Sequence, residues 1–155
     1  MPTAPPVFEP RNPDWEADLR ASFARQGVMG HIGAELGALA PGEAEIRLPY
    51  GAHVSQQHGF FHGGIIATIA DSAGGYAGFS LMAAGDGVLT VEFKLNLMAP
   101  ADGELLIARG RVLRPGRSLF VTTAEVAVLR NGAETPCAVM QQTLMRITGR
   151  HDVTG

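Results

Sequence analysis

Three features of the chain predict an α+β domain. They are one long, proline-free apolar stretch over 62–82, a period-two apolar pattern over 89–98, and turn signals that divide the C-terminal half into a meander. With 155 residues, 46% of them hydrophobic, the chain has the size of one ordinary domain and enough apolar material for a core. That domain is expected over 14–148, between a flexible, proline-rich arm at 1–13 and a short tail at 149–155.

The arm reads MPTAPPVFEPRNP and lacks a basic segment followed by an apolar one, so it is not read as a secretory signal. Residues 14–28 place Trp15, Leu19, Phe23 and Val28 near helical spacing with charges between them, a surface helix stopped near Gly27. Two short strands are expected at 31–39 and 43–49, around the turn Pro41-Gly42. The stretch 62–82 is too long for a single strand and reads as a helix. On it Gly64, Ala67, Thr68, Gly74, Gly75 and Gly78 share a face with Asp71, and Ile65, Ile69, Ala73, Tyr76 and Ser80 form a bulkier flank. In the strand that follows, Leu89, Val91, Phe93, Leu95 and Leu97 alternate with Thr90, Glu92, Lys94, Asn96 and Met98. Three more strands, at 104–113, 118–130 and 134–147, are divided by Arg114-Pro115-Gly116-Arg117 and by the hairpin signal Asn131-Gly132. The sum is a sheet of about six strands whose apolar face is covered by the long helix.

Charge and cysteine content exclude several functions. A net charge of -3, with Lys94 as the only lysine, provides no field for a phosphate backbone, so no nucleic-acid partner is expected. Cys137 stands alone, which excludes an internal disulfide framework and suits a buried thiol in a reducing, cytoplasmic setting. Only 63–85 is long enough to span a bilayer. Its glycines, its lack of flanking Lys or Arg, and a central Asp costing roughly 2.5 to 3.5 kcal/mol argue against insertion.

That same Asp71 is the only charged side chain between Gly63 and Gly85. A lone carboxylate in apolar surroundings costs several kcal/mol unless it is paired or hydrogen-bonded, so it is the leading candidate for chemistry. His62-Gly63-Gly64 opens the helix. Its N–H groups lack intrahelical partners and, with the helix dipole, suit a carbonyl oxygen that becomes negative. A glycine pair equally suits tight packing at a loop-to-helix junction. Nine residues separate His62 from Asp71, roughly 13 Å along the axis at about 1.5 Å per residue, too far to serve one carbonyl. A second copy of the helix, antiparallel across a two-fold axis near Ala67 and Thr68, brings Asp71 beside the other subunit's Gly63 and Gly64. A dimer with composite sites is therefore expected.

The string HGGIIATIADSAGGYAG resembles the HGG-(x)6-D helix of the hotdog-fold acyl-CoA thioesterases of the phenylacetate-degradation type, and LTVEFKLNLMAPA resembles the strand that follows it there. The resemblance covers about 30–147. It implies a long central helix wrapped by a curved antiparallel sheet, assembly as a homodimer or a dimer of dimers, and hydrolysis of acyl-CoA without a metal or redox cofactor. On this chain it makes Gly63 and Gly64 the oxyanion hole and Asp71 the general base or nucleophile. Thr90 matches a Ser/Thr that helps place water. Where relatives often carry Asn, six residues before the motif His, this chain has Gln56 beside Gln57, the same amide on a longer stem. The implied substrate is an aryl or a short- to medium-chain acyl-CoA. The alternative is a non-catalytic acyl-CoA-binding protein on the same scaffold.

The remaining candidates have plainer readings. His62 is either a general acid or, with its place at the helix start, a positioning group. His53, His58 and His62 lack a Cys or carboxylate to complete a ligand set, so no metal is expected. Ser72 comes close to a nucleophile elbow but lies inside a helix, where that motif needs a preceding strand. Phe60 and Phe61 are walls of an acyl pocket or core. Arg109 and Arg111 suit an exposed strand face, whereas Arg114 and Arg117 have the guanidinium geometry to grip coenzyme A phosphates.

Overall fold

The computed structural model describes residues 6–155. Two helices precede the sheet, α1 (Trp15–Arg25) and α2 (Gly27–Ile32). The single helix expected over 14–28 is broken at Gln26, whose backbone is extended and whose side chain donates to the Tyr76 hydroxyl at 2.9 Å. α2 then runs into the segment expected to be a strand and stops at Gly33, which holds φ at +81°, a conformation that glycine adopts without strain. Its Met29 and Ile32 are buried, so a helical turn covers this part of the core and the first strand starts later than expected.

Six strands follow: β1 (Glu35–Ala40), β2 (Glu43–Pro49), β3 (Gly87–Leu97), β4 (Leu105–Pro115), β5 (Leu119–Arg130) and β6 (Ala133–Ile147). They form one sheet in the order β1-β2-β4-β5-β6-β3, every neighbouring pair antiparallel. The central helix α3 (Gly63–Phe79) packs on its inner face against β2, β4, β5 and β6, which is the hotdog arrangement. Helix and sheet come very close. A Cβ on Gly110 of β4 would lie 2.2 Å from the Ala73 carbonyl oxygen.

Two features of the helix face depart from expectation. The strip of small residues does not share one environment: a methyl on Gly74 would strike Gln142, and one on Gly78 would strike Leu144, so both glycines face the sheet. Only Gly64, Ala67, Thr68, Asp71 and Gly75 remain on the open side. The helix also ends at Phe79, before residue 82, because Ser80 Oγ donates to the Ala77 carbonyl at 2.7 Å and accepts from Gly42 N at 2.8 Å, tying the chain to the β1–β2 turn.

The period-two pattern of β3 is interrupted as well. A bulge between Thr90 and Glu92 shifts its register against β6. Val88 and Thr90 face α3 before it, Phe93, Leu95 and Leu97 after it, so the strand does not present one uninterrupted apolar row. Bulges re-aim side chains in this way.

Residues 1–5 of the proline-rich arm lie outside the described residues. Farther along it, Phe8 packs against Gly42 and the core, and Asn12 is buried with its amide donated to Asp18 at 2.7 Å. The tail folds back on the domain: Gly155 N donates to the Asp86 carbonyl at 3.1 Å, and Val153 O lies over Gly87. Cys137 is buried between strands, with its thiol on the Val126 carbonyl, and burial pushes its pKa up to about 11. A thiol held in that state is a packing group. No helix among the described residues is long and apolar enough to cross a membrane.

Candidate active site

The open side of α3 and the start of β3 border a pocket of about 630 Å³ that contains Gly64, Thr68, Asp71, Tyr76, Thr90 and Phe93. Asp71 is half-buried there. Its Oδ1 accepts two hydrogen bonds, from Thr90 Oγ1 at 2.7 Å and from Gln142 Nε2 at 3.0 Å. The bulge in β3 is what turns Thr90 toward the helix. Among the described residues no cation pairs with Asp71, and its Oδ2 has no hydrogen-bond partner. One oxygen is anchored and the other is available.

The start of the helix presents a second feature. His62 is the N-cap, and its Nδ1 accepts the Gly64 N–H at 2.9 Å, which leaves the ring proton on Nε2. His62 thus ties the loop to the first turn of the helix. This bond engages Gly64, whereas the Gly63 N–H has no partner among the described residues. Beside it lies a cleft of about 500 Å³ bordered by Gln56, Phe60, Phe61, Gly63, Ile66 and Leu97. Gln56 Oε1 accepts the His58 N–H, so its amide nitrogen is the group left to donate. Phe61 is buried edge-on to Tyr50 with ring centroids 5.2 Å apart, while Phe60 is half-buried at the cleft.

The structure thus brings Asp71 and Thr90 together, and separately gathers Gln56, Phe60, Phe61 and Gly63. α3 is unbroken between the two sets. Eight residues from Gly63 to Asp71 keep them about 12 Å apart along the helix. Arg114 and Arg117 are exposed on the β4–β5 turn, at the end of the sheet where α3 finishes, and border neither space. Arg109 and Arg111 join strand-face ion pairs with Glu45, Glu134 and Glu125. The histidines point to separate partners, His53 to the Ile32 carbonyl and His58 to Gln57, and among the described residues no group of three His, Cys, Asp or Glu is placed to hold a metal. Ser72 sits mid-helix with its hydroxyl on Gln26 at 3.4 Å.

Gln142 was not among the residues that sequence reasoning singled out. Its signal is parity: Ala138, Met140 and Leu144 lie on the inward row of β6, and set between Met140 and Leu144 in that row is a polar side chain, Gln142, only 1% exposed.

Known proteins share this fold. The family model described as the thioesterase superfamily matches residues 58–131, a span that holds His62, Gly63, Asp71 and Thr90. A crystal structure of a thioesterase family protein from Silicibacter pomeroyi is 48% identical, with a TM-score of 0.86 over 87% of this chain and 99% of that one. The chain belongs to the hotdog-fold thioesterase superfamily. A Halobacterium salinarum protein named provisionally as an esterase is 32% identical over 121 residues, 75% of this chain and 78% of that relative. The PaaI protein of the phenylacetic acid degradation operon of E. coli superposes with a TM-score of 0.78 at 19% identity, over 90% of this chain and 97% of its own, a likeness of fold.

Proposed function

We propose that this thioesterase hydrolyses an aryl or short- to medium-chain acyl-CoA to the free acid and coenzyme A. The single observation that supports it most is Asp71, held on Oδ1 by Thr90 and Gln142 with Oδ2 open to a pocket. As general base, Asp71 takes a proton from water. The water oxygen attacks the thioester carbon, the C–S bond breaks, and the thiolate leaves and is protonated. As nucleophile, Asp71 forms a mixed anhydride that water then opens. Oxygen-18 incorporated into Asp71 after a single turnover in labelled water identifies the second route. Neither route needs a metal or a redox cofactor.

The carbonyl oxygen is assigned to the free Gly63 N–H at the positive end of α3, with Gly64 joining when the His62 ring releases it. Because Asp71 lies too far along the same helix, the site is composite. Asp71 faces the partner subunit's Gly63 across a two-fold axis near Ala67 and Thr68. Support comes from β3, an edge of the sheet that leaves Leu89, Val91, Phe93 and Leu97 about half exposed, a surface that a second subunit would cover. Phe60 and Phe61 then border the thioester, and Gln56 offers its amide N–H to it. Thiol release from acetyl-, hexanoyl- and phenylacetyl-CoA, with Asp71→Asn beside the wild type, is the test. Saturable binding without thiol release from the wild type would favour the acyl-CoA-binding alternative.

A further inference from the structure

We infer that Gln142 is the positioning residue that holds Asp71 in its reactive orientation, an inference that rests on the thioesterase reading above. It lies on β6, opposite Thr122 of β5 and Phe93 of β3, directly beneath the turn of α3 that carries Asp71. One nitrogen, Nε2, reaches both the Asp71 main-chain carbonyl at 3.2 Å and Oδ1 at 3.0 Å. The first bond pins the helix to the sheet. The second, with Thr90 on the same oxygen, fixes rotation of the carboxylate and directs Oδ2 outward.

The surroundings show that this amide is kept at a cost. Gln142 is 1% exposed in a row of Ala138, Met140 and Leu144, where an apolar side chain would pack without penalty. Its Oε1 is buried with no partner, and so is the neighbouring Thr122 Oγ1. A buried carbonyl left unpaired is destabilising. The opposite amide orientation would give Nε2 to the side of Thr122, but it would set Oε1 against the Asp71 main-chain carbonyl and Oδ1, so these acceptors select the observed one. Gly74 completes the arrangement. A methyl there would lie 1.9 Å from Gln142 Oε1 and 2.9 Å from Thr122 Oγ1, so the helix residue above the amide has to be glycine for the amide to reach Asp71.

The test is the kinetics of Gln142→Met, which fills the same volume without donors, measured as thiol release from hexanoyl- and phenylacetyl-CoA together with its melting temperature. The expected result is kcat lowered about 10- to 100-fold with KM within about threefold, the effect of losing a hydrogen bond to a charged group in the chemical step. In an Asp71→Asn background the same change should produce no further loss, because there is no carboxylate left to orient. Gly74→Ala, which displaces the amide without altering it, should move kcat in the same direction, and it stands in if Gln142→Met does not fold. A mere helix pin predicts a lower melting temperature with kcat unchanged, and that outcome overturns the inference. So does a full additional loss in the Asp71→Asn background. Failure of the wider reading looks different: turnover retained by Asp71→Asn removes the role of Asp71 and this inference with it, whereas an inactive Asp71→Asn beside a wild-type-like Gln142→Met removes this inference alone.

Discussion

Two carboxylates in this molecule are held in opposite ways. Glu45, on β2, is buried, and each of its oxygens takes a guanidinium: Oε1 from Arg47 at 2.7 Å and Oε2 from Arg109 at 2.9 Å. Burial by itself would raise its pKa, but the hydrogen bonds and charges of the two arginines outweigh that and hold it below the ordinary 4.5. Asp71 is less buried and has only neutral donors, both on one oxygen. A carboxylate satisfied on both sides by cations is a structural tie. One oriented by a hydroxyl and an amide keeps an oxygen to spare.

The sharpest way to break this contrast is Asp71→Asn. Loss of a general base costs on the order of 10² to 10⁴ in rate, so thiol release should fall by that much with the melting temperature near wild type, and retained turnover would falsify the role of Asp71. Thr90→Val comes next. It removes the second donor to Oδ1 and should lower kcat roughly tenfold, while Thr90→Ser keeps the hydroxyl and should restore most of the rate.

The same substitution made on the structural carboxylate should have the inverse profile. Glu45→Gln should leave kcat alone and cost about 1 to 2 kcal/mol, since Arg47 and Arg109 are themselves half exposed and the pair is screened, which thermal unfolding would register as a few degrees. Its pH dependence has a defined sign. Below about pH 4.5 the unfolded chain takes up a proton that folded Glu45 still refuses, so the contribution, complete above that pH, is lost as the pH falls through the depressed value. Melting curves taken from neutral to acidic pH should fall less steeply for Glu45→Gln than for the wild type. The smallest effect is expected from Arg114→Ala and Arg117→Ala. If these exposed arginines grip coenzyme A phosphates, KM should rise roughly threefold for each while kcat holds; an unchanged KM would leave them as surface charge.

Much of this was legible in the chain. The apolar length of α3 and the hairpin signals at 114–117 and 131–132 correspond to the observed helix and meander, and the isolated Asp71 lies on the open side of that helix. What was misplaced shares a cause, competition from distant partners. Gln26 leaves the helix path beside a bond to Tyr76, fifty residues away, and Ser80 stops α3 while bound to Gly42. The small-residue face divided for a similar reason. Spacing on a helix says which residues are neighbours, whereas only the packed sheet shows that Gly74 and Gly78 are small to admit Gln142 and Leu144.

By itself the sequence determined the α+β architecture, the long central helix, the prominence of Asp71 and the helix start at His62-Gly63-Gly64, because these rest on local periodicity and on the cost of burying a lone charge. The tertiary structure alone decided how that charge is held. The bulge that turns Thr90 and the strand parity that puts Gln142 under the helix both depend on register between segments far apart in the chain. Register is a property of paired strands and packed faces, and no single stretch of residues contains it.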